Sequence, residues 1–134
     1  DLWIYTFTNI PKYDQENREV IYFVEETVPA GYAVTYDSNK CDLTNTLITT
    51  GISGTKTWMD DENRYGLRPD HITLNVKADG VIMGTQPESI IWNKSGSVWN
   101  YQSSSLPMYD RKGNEIKYSV EEEVPNGYEL EQTD

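Results

Sequence analysis

Three polar side chains sit on strand faces that are otherwise apolar. Side chains alternate between the two faces of a strand, so residues two apart share a face. In ISGTKTW the face of Ile52, Gly54 and Trp58 also carries Lys56. In EIKYSVEEE the face of Ile116, Tyr118 and Val120 runs on to Glu122, and in CDLTNTL the face of Cys41, Leu43 and Leu47 carries Asn45. An amine, a carboxyl group and a carboxamide are therefore expected to point inward. Burial of an unpaired charge is costly. Either the charges pair or reach water at a strand end, or the three groups react with one another.

The elements that would position these groups occur twice. WIYTFTNIPKYDQENREVIYFVEETVPAGY, starting at Trp3, aligns without a gap on WNYQSSSLPMYDRKGNEIKYSVEEEVPNGY, starting at Trp99. Trp3/Trp99, Tyr5/Tyr101, Pro11/Pro107, Tyr13/Tyr109, Asp14/Asp110, Tyr22/Tyr118, Val24/Val120, Glu26/Glu122, Pro29/Pro125, Gly31/Gly127 and Tyr32/Tyr128 are identical pairs. A repeat of about 96 residues is the size of one small sandwich domain. The chain is expected to divide near Thr50–Gly51. Residues 1–50 would be the C-terminal part of one unit, and residues 51–134 a second unit without its last strand. The counterpart of Asn45 in the second unit would fall at position 141, outside the sequence.

Strand patterning dominates. Ile72, Leu74, Val76 and Ala78 alternate with polar neighbours, as do Val20, Tyr22, Val24 and their counterparts Ile116, Tyr118, Val120. Asp79-Gly80, Lys112-Gly113-Asn114, Pro29-Ala30-Gly31 and Pro125-Asn126-Gly127 supply turns. No segment holds a sustained helical stripe. The expected class is all-β, an antiparallel sandwich or barrel.

Composition narrows the functions. The 134 residues carry 11 Lys plus Arg against 22 Asp plus Glu, a net charge of −11, which argues against nucleic acid and anionic membrane surfaces as partners. Ten Tyr and four Trp supply the buried area a folded domain needs. A single cysteine, Cys41, excludes an internal disulfide framework and is read as a small core residue. No apolar run is long enough to span a bilayer, residues 1–20 lack a signal-peptide layout, and the chain reads as a segment of something longer. The acidic run Asp60, Asp61, Glu62, Asn63 lacks the ligand spacing of a calcium loop and is read as a solvated turn, while His71 has no second histidine. No metal site and no cofactor are expected.

GTKTW followed by DDENRYGLRPDHITLNVKADG, then LPMYD, YSVEEEVPNGY and, in the first unit, DLTNT, resembles the collagen-adhesin B-type (Cna B-type) repeats of Gram-positive surface proteins. The resemblance covers essentially the whole chain. It implies an immunoglobulin-like sandwich in which a first-strand lysine and a last-strand asparagine form an isopeptide bond with help from a buried glutamate. Lys56 and Glu122 would then be nucleophile and catalytic carboxyl in the second unit, and Glu26 and Asn45 the carboxyl and the acceptor in the first. Neither unit holds a complete set. Ten residues cannot make the parallel crossover that would let Lys56 meet Asn45 within the chain, so the partners are expected in missing sequence or another chain.

Desolvation supports such chemistry. It favours the neutral amine, the only form that attacks, and the protonated carboxyl, which can polarise an amide carbonyl and carry a proton to departing ammonia. The implied role is a stalk or spacer of an extracellular, surface-associated adhesin or pilus-like fibre, not a metabolic enzyme. Its partners would be neighbouring repeats or other copies that complete a sheet edge by strand donation. Closing a loop of about 85 residues would stabilise by roughly 4–5 kcal/mol, by analogy with a disulfide. The rival reading is a ligand-binding adhesin domain that uses Tyr65, Trp92 and Trp99 as an aromatic surface for protein or carbohydrate.

Overall fold

The structure is a computed structural model and describes residues 2–131. Eight strands follow in order: β1 (Tyr32–Tyr36), β2 (Leu43–Leu47), β3 (Thr49–Thr57), β4 (Thr73–Ala78), β5 (Val81–Ile82), β6 (Ile91–Ser95), β7 (Val98–Pro107) and β8 (Tyr118–Glu123). No helix occurs among the described residues, and every strand pairing is antiparallel. β1 and β2 form a hairpin, while β3-β7-β6 and β5-β4-β8 form two three-stranded sheets.

Alternation on β3 places its even-numbered residues inward. Ile52, Gly54 and Lys56 are half-buried between exposed neighbours, and Trp58, just past the strand, is buried. Cross-strand register with β7 sets Lys56 opposite Trp99 and Gly54 opposite Tyr101. A methyl group at Gly54 would lie only 2.4 Å from the Tyr101 hydroxyl oxygen, so the ring lies across the glycine and would have to shift to admit a side chain. On β8 the residues Tyr118, Val120 and Glu122 take the inward positions, with Glu122 opposite Leu74 of β4.

Trp58, Val76, Trp99 and Leu106 are the buried hydrophobic residues. Trp58 meets Trp99 edge-on at 5.2 Å and Tyr128 at 5.1 Å, and Trp92 bridges Trp99 and Tyr101 at 5.9 and 5.5 Å. Such contacts favour packing beyond the area they bury.

Local geometry recurs at the spacing of the sequence repeat. The Tyr22 hydroxyl donates to the Pro11 carbonyl at 2.5 Å and the Tyr118 hydroxyl to the Pro107 carbonyl at 2.6 Å. Isolated bridges join Tyr13 to Glu19 and Tyr109 to Glu115. Asp14 and Asp110 each accept two backbone N–H groups in the turn that follows.

Other expectations change. Val20, Tyr22 and Val24 have strand alternation but form no strand. Their counterparts lie on or beside β8, which is held by β4, and the repeat counterpart of β4 is not in the sequence. Trp3 matches buried Trp99 yet is 92% exposed, because no second sheet covers it. Cys41 is half-buried with a free thiol, so it is not a core residue.

Candidate functional site

Lys56 and Glu122 approach from different sheets. Lys56 Nζ lies 2.8 Å from Glu122 Oε2 and donates to Oε1 at 3.1 Å, with the two side chains 15% and 6% exposed. The ammonium also stands 4.5 Å from the centroid of the Trp58 ring, whose face attracts a cation. A carboxylate and an aromatic face therefore hold the amine at the free edge of its sheet, since among the described residues β3 pairs only with β7.

The second pair is more open. Asn45 Nδ2 donates to Glu26 Oε1 at 2.6 Å, and the Glu26 backbone N–H donates to the Tyr36 hydroxyl at 2.8 Å. Glu26 is half-buried, but Asn45 is exposed, contrary to the inward placement expected from parity. Asn45 does share a strand face with half-buried Leu43. That face has no opposing sheet, so facing the same way as Leu43 does not bury it.

Lys56 and Asn45 are not brought together. β2 runs into β3 with only Ile48 between them, and Ile48 is tied on both sides: its N–H donates to Gly31 O at 2.8 Å and its carbonyl accepts from the Met108 N–H at 3.0 Å. At about 3.3 Å per residue, the two residues sit on the order of 35 Å apart along one extended run. The chain thus holds a lysine paired with one carboxyl group at one place and an asparagine paired with another carboxyl group at a second.

A cavity of about 1160 Å³ opens beside Lys56 and Glu122, walled by Trp58, Tyr101, Leu74 and the segment Asn126–Glu131. One wall is a polar cluster that sequence reasoning missed. Arg68 Nε donates to Asp60 Oδ2 at 2.9 Å, and an Arg68 terminal nitrogen donates to Oδ1 at 2.5 Å. The Tyr128 hydroxyl donates to Oδ2 at 2.9 Å and the Asn63 N–H to Oδ1 at 3.0 Å. Arg68 also donates to Gly96 O and Ser97 Oγ. The Arg68 hydrogen bond, reinforced by Tyr128, holds the Asp60 carboxyl well below the usual carboxylate range. Burial, then the bond to Asp60, pushes the Tyr128 hydroxyl up. Asp61, Glu62 and Asn63 are exposed in the turn as expected, but the Asp60 side chain is not solvated: it and that of Arg68 are each 11% exposed.

Among the described residues no group of three or more His, Cys, Asp or Glu side chains could hold a metal ion. His71 is exposed at the head of β4. Of the three aromatics expected to form a binding surface, Trp99 is buried, Trp92 half-buried and Tyr65 exposed.

The inward lysine and glutamate, the paired antiparallel sheets and the repeat converge on one family. The Cna protein B-type domain family matches residues 1–46 and 52–134, and the chain belongs to it. Its all-β architecture is the immunoglobulin-like sandwich of that family. A collagen adhesin of Staphylococcus aureus is 34% identical over 133 residues, covering 92% of this chain and 11% of the adhesin. The chain thus spans a small part of that relative's length. No solved structure matches it.

Proposed function

We propose that this chain is a structural module of a surface adhesin or pilus-like fibre, with units divided near Thr50–Gly51 and braced by a self-formed Lys–Asn isopeptide bond. The observation that carries the reading is the 2.8 Å contact between Lys56 Nζ and Glu122 Oε2 in the sandwich interior. Likeness to a collagen adhesin supports an extracellular, surface-associated setting. The collagen that its name mentions is a matter for that protein.

In the proposed reaction Glu122 takes a proton from Lys56. The neutral amine attacks the side-chain carbonyl carbon of an asparagine on the last strand of the unit, and protonated Glu122 hydrogen-bonds to the developing oxyanion. Glu122 then delivers its proton to the departing nitrogen. The carbon–nitrogen bond to ammonia breaks, a secondary amide remains, and ammonia takes up the second proton from the former ammonium. Residues held side by side need one turnover only. Tension along a row of such units would pass through the covalent link between first and last strands instead of shearing the sheet.

The test uses the chain carrying Asn45→Ala, mixed with a synthetic peptide of residues 38–50. Intact mass should show an adduct lighter than the summed masses by about 17 Da, the mass of expelled ammonia. A mixture that keeps both masses separate contradicts the proposal.

A further inference from the structure

We infer that Asp60, Arg68 and Tyr128 form a clamp that sets the register of the strand carrying the isopeptide acceptor, making them positioning residues for the reaction of Lys56. The inference rests on the isopeptide reading. A tight turn follows β8. Pro125-Asn126-Gly127-Tyr128 repeats Pro29-Ala30-Gly31-Tyr32, with Tyr128 N–H donating to Pro125 O and Tyr32 N–H to Pro29 O, both at 3.2 Å. Gly127 and Gly31 adopt φ of 85° and 86°, a left-handed conformation that glycine takes without strain.

In the first copy this turn opens directly into β1, which begins at Tyr32 and pairs with β2 so that Tyr32 faces Leu47 and Val34 faces Asn45. Residues 128–131 form no strand in the structure; shifted by one repeat, Tyr128 would begin the template strand of the second copy, and Leu130 would stand opposite the acceptor position. The residues from Asn126 to Glu131 already line the cavity beside Lys56 and Glu122, across from the unpaired edge of β3. A last strand entering that slot would pair with this segment on one side and reach Lys56 on the other.

The clamp fixes where that template starts. Asp60 lies three residues past the end of β3, the strand that carries Lys56, and its carboxylate accepts the Tyr128 hydroxyl while Arg68 holds it from the other side. Trp58, which bears the Lys56 ammonium on its ring, also packs edge-on against Tyr128 and lies 5.6 Å from the Arg68 guanidinium. The nucleophile and the origin of the template are thus referred to the same indole. A register slip of one residue would turn the acceptor side chain to the opposite face, so a fixed origin has a chemical consequence. Tyr32 has no such partner among the hydrogen bonds of the described residues and is 42% exposed.

The experiment follows adduct formation between the Asn45→Ala chain and the peptide of residues 38–50 as peptide concentration rises. Tyr128→Phe, which removes one hydroxyl, and Asp60→Asn, which removes the charge, should each raise the half-saturating peptide concentration about tenfold. The limiting rate should stay within a few-fold, because Lys56 and Glu122 are untouched. Amide exchange over residues 128–131 should accelerate in both variants while the near-ultraviolet circular dichroism of the tryptophan cluster persists. A structural role alone would lower the melting temperature without separating half-saturation from limiting rate. Adduct formation with unchanged half-saturation in Tyr128→Phe overturns the clamp and leaves the bond. Absence of any adduct in the parent Asn45→Ala chain overturns both.

Discussion

Lys56 and Glu122 are 66 residues apart in sequence and on strands of different sheets, yet their charged atoms meet at 2.8 Å beneath the tryptophan cluster. The pair is partly enclosed, so neither charge is expendable once the other is present. Lys56→Ala should destabilise the chain by about 1–3 kcal/mol, the usual cost of leaving a partly buried acceptor without its partner. Lys56→Met combined with Glu122→Leu should recover most of that loss. Urea titrations of the four corners of the cycle measure the coupling.

The aromatic stack predicts a contrast between two residues that sequence alone makes equivalent. Trp99 is 5% exposed and Trp3 is 92% exposed. Trp99→Ala should therefore cost about 3–5 kcal/mol. Trp3→Ala should change stability by no more than about 0.5 kcal/mol. Thermal or urea unfolding of the two variants separates the cases directly.

Gly54 tests the packing beside the lysine. A methyl group there would meet the Tyr101 hydroxyl oxygen at 2.4 Å and its ring carbons at 2.6 and 2.9 Å, and the ring is braced from behind by Trp92. Gly54→Ala should cost about 1–3 kcal/mol through overpacking. Adding Tyr101→Leu should relieve part of it, whereas Tyr101→Phe should not, because the clash includes ring carbon as well as oxygen.

Acid should loosen the clamp. In the folded state the Asp60 carboxyl is held below the ordinary carboxylate range, chiefly by its hydrogen bond from Arg68. Its contribution is complete above the unfolded value near pH 4 and is lost as pH falls toward the folded value. Asp110, lowered mainly by the Asn114 backbone N–H, acts in the same direction. Stability should decline below about pH 4, and Asp60→Asn should flatten that acid limb while leaving Asp110's share. Urea midpoints measured between pH 5 and pH 2 read the difference.

The parts legible in sequence were those governed by a two-residue period or by the repeat. The inward row Ile52, Gly54, Lys56, Trp58 and the placement of Glu122 follow from alternation, because both strands lie under an opposing layer. Asn45 shows where alternation stops being informative. It shares a face with Leu43, but that face is open, and no local pattern encodes whether a second sheet covers it. The same reason accounts for Val20, Tyr22 and Val24, whose partner strand is not in the chain. Asp60 failed differently. Its partners lie 8 and 68 residues away, and only the fold turns the first residue of an acidic run into one half of a half-buried ion pair with a tyrosine on its rim.

Peptide mapping of the adduct between the Asn45→Ala chain and the peptide of residues 38–50 tests the bond to Lys56 most directly. The predicted product is one branched peptide joining the side chain of Lys56 to the peptide's Asn45, absent when Lys56→Ala or Glu122→Ala replaces the parent. Branching at another lysine, such as Lys94 or Lys77, or an adduct that survives Lys56→Ala, would contradict it.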